Sequence, residues 1–221
     1  MNYQTILLAA GEGQRAALGY NKVLYKINGR KELVLYSLEY FIDDPLCEKI
    51  VLVINKADQR YFKYLVNNPK VVFTFGGKER GESVQEGLKL IDSEYVIIHD
   101  AARPLIYKED VYNLVSFAQE TGGATLATKV YNTTCHIKDG FVDEYFSRHT
   151  LASVVTPQCF KKELLVKAYQ ENNQKDNFTD DSSIFNRYIG SVKLIWTDNI
   201  SIKATTPSDI KLLEVILYAH R

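Results

Sequence analysis

The feature that most constrains the fold is a series of short apolar runs, rich in β-branched and aromatic residues, spread along the 221 residues. Their hydrophobicity is continuous rather than alternating, which is typical of strands that are covered on both faces, as in a parallel sheet. The runs are TILLAA at 5, KIVLVIN at 49, KVVFTF at 70, YVIIHDA at 95, ATLATKV at 124 and VKLIWT at 192. They predict a mostly parallel sheet.

Segments with helical spacing separate these runs. Each places apolar residues at intervals of three and four. They are ELVLYSLEYFI at 32, DQRYFKYLVNN at 58, SVQEGLKLI at 83, KEDVYNLVSFAQET at 108, KKELLVKAYQENN at 161 and PSDIKLLEVILYAHR at 207, with Ser208 as the expected N-cap of the last. Alternating strands and helices over this length predict an α/β fold, a three-layer sandwich with a Rossmann-like sheet in the middle.

One region interrupts the alternation between residues 129 and 155. KDG at 138 lies between TTCHI and FVDEYF, which predicts a hairpin with its turn at Asp139-Gly140. Such an arm either lies over the sheet or reaches a second subunit. No repeat or linker divides the chain, so we expect a single domain over 1–221 with a projecting β-arm at about 129–155.

Charge and composition exclude several classes of function. Lys plus Arg and Asp plus Glu both number 27, so no bulk charge favours nucleic acid or an anionic membrane as a partner. The apolar runs are shorter than the roughly 18 residues of a membrane span, and the N-terminus lacks the pattern of a signal peptide, so a cytoplasmic location is expected. Cys47, Cys135 and Cys159 are odd in number and far apart, which signals neither a disulfide framework nor a zinc site.

In open parallel sheets, ligands bind at the carboxyl ends of the strands, so the loops that follow the strands are the informative ones. After the first strand come Gly11, Gly13 and Arg15, with Lys22 further on. Glycines allow backbone N–H groups to approach an anion, and the two cations suit a polyphosphate. A plain turn is the alternative, since the spacing matches neither a dinucleotide fingerprint nor a P-loop. If the loop does bind an anion, Glu12 should point its side chain to solvent.

A second glycine-rich and basic loop, GGKERGES, follows the run KVVFTF. Gly76 and Gly77 are explained by a turn, and Ser83 is expected to cap a helix that begins near Val84. Arg80 is not explained by either, and it favours a nucleotide at this edge of the sheet.

The run YVIIHD ends in Asp100, and Arg103 follows three residues later. A carboxylate at the end of a central strand suits Mg²⁺, which is commonly shared with substrate phosphates, and Arg103 suits a phosphate. A structural ion pair between Asp100 and Arg103 is the alternative. His99 is interpreted as a packed or hydrogen-bonded residue rather than a ligand, since no second His or Cys lies near it at ligand spacing.

Two further segments carry polar residues near the C-terminus. Thr179, Asp180 and Asp181 suit a second metal site, although a helix N-terminus is the commoner explanation of such a cluster. Lys203 follows a strand, stands beside hydroxyl residues and is the better functional candidate.

Taken in order, these loops resemble one family. The pattern AAGxGxR…K, GGxxRxxSVxxGL, HDAARP, R…TPQxF, TDD and KxTxPxD is similar to that of the 2-C-methyl-D-erythritol 4-phosphate cytidylyltransferases, from residue 7 to about 213. The resemblance implies a nucleotidyltransferase α/β fold and a homodimer formed through the arm. It also implies an Mg²⁺-dependent transfer of CMP from CTP to a sugar-alcohol phosphate, with release of pyrophosphate.

The resemblance also assigns roles to individual residues. The CTP contacts that it implies are Ala9, Ala10, Gly11, Gly13, Gly77, Lys78, Arg80 and Ser83. The implied catalytic cations are Arg15, Lys22 and Lys203, and the implied metal ligand is Asp100. The implied acceptor contacts are Arg103, Thr156, Thr179 and Lys203, together with Thr133 and Arg148 from the arm of a second subunit.

The chain departs from the family pattern at several positions. Asn21 stands where many members have proline, Asn132 and Cys135 replace the usual Asp and Lys of the arm, Ser201 replaces an Asn, and Val155 replaces a Gln. All but the first lie at the acceptor end, so CTP and the reaction type are better supported than the acceptor.

Two alternatives fit the same sequence. A related cytidylyltransferase acting on ribitol 5-phosphate shares most motifs, although Ala102 favours the methylerythritol enzyme. The second alternative is a non-catalytic nucleotide-binding protein, in which the changes in the arm accompany a loss of activity.

Overall fold

The computed structural model describes residues 1–11, 19–172 and 178–219 of the chain. Eleven strands occur in these ranges: β1 Tyr3–Ala9, β2 Lys26–Ile27, β3 Lys31–Glu32, β4 Cys47–Ile54, β5 Val71–Phe75, β6 Tyr95–Asp100, β7 Gly123–Lys129, β8 Thr134–Lys138, β9 Phe141–Phe146, β10 Ala152–Lys161 and β11 Lys193–Trp196. Seven α-helices accompany them: α1 Leu33–Asp43, α2 Gln59–Leu65, α3 Arg80–Leu88, α4 Lys108–Thr121, α5 Lys162–Asn172, α6 Asp181–Tyr188 and α7 Pro207–Ala219. All six predicted strands and all six predicted helices are therefore confirmed.

Seven strands form the central sheet in the order β11-β7-β10-β6-β1-β4-β5. Neighbours pair in parallel except for β10, which is antiparallel to both β6 and β7. Because six strands share one direction, the loops after β1, β5 and β6 gather at one edge of the sheet. The prediction of a mostly parallel sheet is confirmed.

The strand β10 was not predicted as part of the sheet. Its first half pairs with β7 only, and the register shifts between Val155 and Gln158 before the second half pairs with both neighbours. Pro157 lies at this irregularity and has no N–H to donate to a ladder, which confines proline to bulges and edges. The strand thus leads directly from the arm into the middle of the sheet.

Helices cover both faces of the sheet. Successive residues of a strand point to opposite faces, so Leu7 of β1 belongs to one buried cluster and Ile6 to the other. The first cluster includes residues of α1, α2, α4 and α7, and the second includes residues of α3, α5 and α6. The expected three-layer sandwich is confirmed.

The predicted hairpin is also present. Strands β8 and β9 pair antiparallel, and Lys138 is opposite Phe141 across a two-residue turn. Asp139 and Gly140 have φ values of 51° and 84°, the left-handed conformation that such tight hairpin turns require. The hairpin is a separate two-stranded sheet with mostly exposed side chains.

Two predicted helix caps are wrong. Helix α3 begins at Arg80 rather than near Val84, and a capping box of Glu79 and Glu82 closes its N-terminus in place of Ser83. Helix α7 begins one residue before the predicted cap, Ser208, and the hydroxyl of Thr206 accepts from the N–H of Asp209 at 3.3 Å. In both cases the carboxylate of a residue three positions further on accepts a second hydrogen bond from the backbone. The two bonds together satisfy the free N–H groups better than a single hydroxyl does.

Within the described ranges, no helix combines the length and the apolar character that crossing a membrane requires.

Candidate active site

Strand β6 ends at Asp100, whose carboxylate is nearly buried and faces three basic side chains. The ammonium of Lys203 lies 2.7 Å from Oδ2, and Nε of Arg80 lies 3.2 Å from Oδ1. Nε of Arg103 lies 4.0 Å from Oδ2. Burial opposes ionisation, but the charges of Arg80 and Lys203 outweigh it and hold the pKa of Asp100 well below its usual range. Asp100 is thus a carboxylate anion at neutral pH.

Arg80 links this carboxylate to a second, deeper one. Its Nη1 lies 2.6 Å from Oδ2 of Asp181, which is fully buried and also accepts from the Tyr169 hydroxyl at 2.6 Å. Burial alone would lower the pKa of Arg80, but Asp181 and Asp100 raise it above its usual value. Three basic and two acidic side chains therefore leave one net positive charge at the end of β6, which favours an anionic ligand.

Two donors of the cluster are unused. Nη2 of Arg80 and Nε of Arg103 are buried and have no hydrogen-bond partner among the described residues. Nη1 of Arg103 donates weakly to the hydroxyl of Ser201 at 3.4 Å. A buried donor without a partner costs free energy unless a ligand satisfies it, so both arginines retain capacity for phosphate oxygens.

Thr156, a predicted acceptor contact, is buried beside this cluster. Its hydroxyl accepts from the N–H of Asp100 at 3.1 Å and lies 3.2 Å from Nδ1 of His99. Burial lowers the pKa of His99 to about 4, so its ring is neutral at neutral pH. The interpretation of His99 as a hydrogen-bonded residue is confirmed, while contact between Thr156 and an acceptor stays a prediction.

The glycine loop after β5 packs closely against the loop after β1. A Cβ at Gly76 would lie 2.6 Å from Cβ of Ala10 and 2.7 Å from Oγ of Ser83. A Cβ at Gly77 would lie 2.5 Å from a carboxylate oxygen of Glu82. Only glycine allows this approach, and the two loops together form one surface beside the end of β1.

Lys22 is positioned by the residue before it, Asn21. The Asn21 side chain accepts from the N–H of Val23, which starts the short 3₁₀ helix Lys22–Leu24. Its amide donates to the carbonyl of Ala9 at 2.8 Å and to the carboxylate of Asp58 at 2.9 Å. Asn21, which stands where many family members have proline, therefore holds Lys22 beside the end of β1.

The start of α7 lies near the same lysine. Burial of Asp209 opposes its ionisation, but hydrogen bonds from Thr206 and Thr205 and the charge of Lys22 lower its pKa. Helix α7 and the loop before it thus bring Lys203 and Lys22 to the same edge of the sheet.

The remaining predicted residues lie at the margins of the site or away from it. Lys78 is exposed, and its N–H is occupied by the carboxylate of Glu82 at 2.6 Å. Thr179 is exposed just before α6. In the arm, Thr133 is exposed and the guanidinium of Arg148 donates to a backbone carbonyl at 3.1 Å.

The first glycine loop is described only in part. Gly11 is described and exposed. Glu12, Gly13 and Arg15 lie outside the described residues, so their predicted roles and the orientation of the Glu12 side chain are untested.

The acidic pair after Thr179 serves the fold. Asp180 is the N-cap of α6 and accepts from the N–H of Ser183 at 2.8 Å, and Asp181 pairs with Arg80. Within the described ranges, no group of three or more His, Cys, Asp or Glu side chains could hold a metal ion. The helix N-terminus is the correct explanation.

Sequence reasoning did not identify Tyr169 or the role of Asp181 in holding Arg80. These side chains come from α5, α6 and α3 and meet only in the folded chain. The TDD motif was a signal for Asp181, but its partner 101 residues away was not visible in the sequence.

A mostly parallel sheet that gathers two glycine loops, a cluster of cations and one carboxylate at a single edge defines the chain as a nucleotidyltransferase of the α/β class. Residues 3–219 match the family model of 2-C-methyl-D-erythritol 4-phosphate cytidylyltransferase. The chain belongs to this family.

Curated relatives and solved structures agree with that assignment. Proteins of this name from Bacillus velezensis and Geobacillus kaustophilus are 36% and 37% identical to the chain, over 100% and 98% of it and 97% of each relative. A 4-diphosphocytidyl-2C-methyl-D-erythritol synthase structure from Anaerococcus prevotii superposes with a TM-score of 0.85 at 28% identity, covering 98% of the chain and 96% of that structure. The Francisella tularensis cytidylyltransferase gives 0.83 at 27% identity, over 97% and 99%.

Proposed function

We propose that the protein transfers CMP from CTP to 2-C-methyl-D-erythritol 4-phosphate and releases pyrophosphate. The acceptor's phosphate oxygen bonds to the α-phosphorus of CTP, and the bond from that phosphorus to the oxygen bridging to the β-phosphate breaks. The observation that carries the proposal is the net positive cluster of Arg80, Arg103 and Lys203 around Asp100, at the same edge as the glycine loops. The family match supports methylerythritol phosphate rather than ribitol 5-phosphate as the acceptor.

CTP binds along the loops after β1 and β5 in this proposal. The triphosphate lies on the loop from Ala9 to Arg15, with Lys22 as one of its cations. The surface formed by Ala10, Gly77 and Ser83 takes the cytosine, largely through backbone groups. The close approach of Gly76 to Ala10 and Ser83 supports this placement, because it leaves backbone atoms on the surface.

The acceptor binds on the other side of Asp100. Arg103 has an unused buried donor, and the flexible ammonium of Lys203 can turn from Asp100 to a phosphate oxygen. Thr179 and Thr156 complete this side, together with Thr133 and Arg148 from a second copy of the chain.

Catalysis requires positioning and positive charge rather than a general base. The acceptor's phosphate is already ionised at neutral pH, so no proton has to be removed from the nucleophile. Lys22, Arg15 and Lys203 stabilise the charge that builds on the phosphates in the transition state.

The donor set fits a magnesium ion shared with substrate. Mg²⁺ commonly uses one or two carboxylates and completes its coordination with water and substrate phosphates, and Asp100 is one ionised carboxylate beside the proposed phosphate site. When bound there, Mg²⁺ neutralises charge on the phosphates of CTP. Arg80 remains held by Asp181 when Asp100 exchanges its partners, so the deeper charge pair stays intact.

The exposed hairpin supports a homodimer with shared sites. Its apolar side chains are mostly in solvent, with Phe141 78% and Ile137 68% exposed, and a two-stranded hairpin is only marginally stable alone. We propose that the arm, as part of a single domain, packs on a second copy. A cytoplasmic location also stays a prediction from the sequence.

Pyrophosphate release from CTP, measured with each acceptor in turn, tests the reaction. Methylerythritol 4-phosphate should support turnover, and ribitol 5-phosphate should not. Addition of EDTA should abolish turnover and Mg²⁺ should restore it. A rate unaffected by EDTA would contradict the metal role of Asp100, and turnover with ribitol 5-phosphate alone would identify the other acceptor.

Two variants test the site. Lys22→Ala and Asp100→Asn should fold and lose turnover by about a hundredfold or more, since the first removes a cation proposed to contact the triphosphate and the second removes the carboxylate proposed to hold Mg²⁺. Lys89→Ala is the control, because Lys89 is exposed at the C-terminal end of α3, and the next residue, Leu90, contacts Lys49 at the start of β4, at the opposite edge of the sheet. Undiminished transfer in both site variants would refute the assignment, and a wild-type chain that binds CTP without turnover would favour the non-catalytic alternative.

A further inference from the structure

His99 directly precedes Asp100, and its ring contacts the turn after β6 that carries Asp100 and Arg103. It is fully buried, and its edge packs against Phe41 with the ring centroids 5.8 Å apart. Nε2 lies 2.9 Å from the carbonyl oxygen of Arg103, and Nδ1 lies 3.2 Å from the hydroxyl of Thr156. Each ring nitrogen therefore has a polar partner on a different segment.

The chemistry of these partners defines the tautomer. A carbonyl oxygen can only accept, so Nε2 carries the proton and donates to Arg103. The Thr156 hydroxyl accepts from the N–H of Asp100 at 3.1 Å, which leaves its own proton free to be donated to Nδ1. Hydrogen bonds then run without interruption from the N–H of Asp100, through Thr156 and His99, to the carbonyl of Arg103.

Further bonds close the turn around this chain. The N–H of Arg103 donates to the carbonyl of Asp100 at 2.9 Å, and the hydroxyl of Ser37 donates to the carbonyl of Arg103 at 3.0 Å. The backbone at both Asp100 and Arg103 is thereby fixed from three elements, β6, β10 and α1. Their two side chains project from this backbone to the site.

We propose that His99, as the neutral Nε2–H tautomer, is a positioning residue that fixes Asp100 and Arg103 relative to each other for cytidylyl transfer. Its catalytic consequence rests on the proposed function, whereas the hydrogen-bond chain does not. An apolar ring such as phenylalanine would fill the same space without joining the backbone of Arg103 to Thr156. The bond to Thr156 also joins His99, at the end of β6, to the part of β10 that precedes the backbone ladder between these two strands.

The ring's tautomer is measured first, on the full-length wild-type protein without substrates. Nitrogen NMR of ¹⁵N-histidine protein at neutral pH, with the His99→Phe variant to assign the signal, should show a protonated Nε2 and an unprotonated Nδ1. A proton on Nδ1, or on both nitrogens, overturns the inference whatever the activity.

Three variants then separate positioning from packing. His99→Phe keeps the ring but loses both hydrogen bonds, and kcat should fall by about tenfold to a hundredfold, since small misplacements of catalytic groups have effects of that size. The KM for CTP should change little, because the glycine loops bind it, whereas the KM for the acceptor should rise. His99→Gln retains a donor near the Nε2 position, His99→Asn retains an acceptor near the Nδ1 position, and each should recover part of kcat.

The outcomes distinguish this inference from the proposed function. A folded His99→Phe variant with the kcat and acceptor KM of the wild type overturns the positioning role. A second outcome also overturns it. If total activity falls equally in all three variants, the midpoint of unfolding falls, and kcat per folded molecule is unchanged, then His99 contributes to stability alone. A wild-type protein that has the Nε2–H ring but does not turn over contradicts the proposed function and leaves the hydrogen-bond chain supported.

Discussion

At the scale of single residues, the charge balance at the end of β6 depends on Asp181, a carboxylate with no exposed surface. Asp181 contacts Nη1 of Arg80, while Asp100 contacts Nε of the same guanidinium. A buried charge that loses its partner retains its desolvation cost, which is why removal of one member of such a pair has a large effect. Asp181 therefore contributes to the site without facing it.

Asp181→Asn should lower the free energy of unfolding by about 3 kcal/mol, because Arg80 loses a charged partner at 2.6 Å in a buried position. Urea denaturation followed by circular dichroism measures the change. Asp198→Asn is the matched control: it removes the same charge from the exposed pair with Lys129 and should leave the free energy of unfolding unchanged within error. Equal effects in the two variants would show that the buried pair contributes no more to stability than the exposed pair does.

The buried thiol of Cys47 predicts sensitivity to alkali. Burial raises the pKa of Cys47 from 9.0 to about 11, so the unfolded chain loses this proton before the folded chain does. The contribution is complete below pH 9 and is lost as pH rises from 9 to 11, by at most about 2.7 kcal/mol. Under reducing conditions, Cys47→Ala should be less stable than the wild type at pH 8, and this difference should narrow by pH 10.5. Parallel stability curves would contradict the shift.

At the scale of elements, the sequence was sufficient wherever the signal is local. The continuous apolar runs predicted six strands, and the turn chemistry of Asp139 and Gly140 predicted the hairpin. The strand β10 was missed because its two halves have different environments: its first half pairs with β7 alone, and Pro157 interrupts the ladder. A strand of this kind has neither the alternation nor the continuous hydrophobicity by which strands are recognised.

The residues of the site were also predictable only in part. Residues that follow strands, such as Asp100 and the glycine loops, were predictable because parallel strands end at one edge. The surroundings of Arg80 were not, since its partner Asp181, and the Tyr169 hydroxyl that donates to Asp181, come from helices that follow the arm in the sequence. Both helix caps were mispredicted because the carboxylates of Glu82 and Asp209 accept from the N–H groups of Glu79 and Thr206, where a single serine hydroxyl was expected to cap the helix.

The contact between two loops provides a test at this scale. Gly76→Ala places a methyl group 2.6 Å from Cβ of Ala10, so the loops after β1 and β5 must separate. Overpacking of this kind should cost about 1–3 kcal/mol of unfolding free energy and should raise the KM for CTP more than that for the acceptor. Gly11→Ala is the control for stability, because no described atom lies within 4 Å of a Cβ at that position. An unchanged KM for CTP in Gly76→Ala would contradict the proposed nucleotide surface.

At the scale of the whole molecule, the residues proposed to form one active site lie in two separate parts of the fold. Lys22 and Asp100 lie at the edge of the central sheet, whereas Arg148 lies at the base of the arm, where its guanidinium donates to the carbonyl of Tyr131. The arm is a sheet of its own with exposed apolar side chains. If the arm packs on a second copy, Arg148 serves its partner's site and not its own.

Complementation between inactive subunits follows from that arrangement. Lys22→Ala damages the sheet edge of its own subunit, and Arg148→Ala damages only the site to which its arm contributes. A mixed dimer then has one site with an intact edge and an intact arm. After unfolding and refolding together in equal amounts, the mixture should recover about a quarter of wild-type turnover, because half of the dimers are mixed and each has one intact site of two. Lys22→Ala mixed with Asp100→Asn is the control, since both lesions lie at the sheet edge and no mixed dimer has an intact site. Recovery in neither mixture, with dimers verified by sedimentation, would show that each site is built from a single chain.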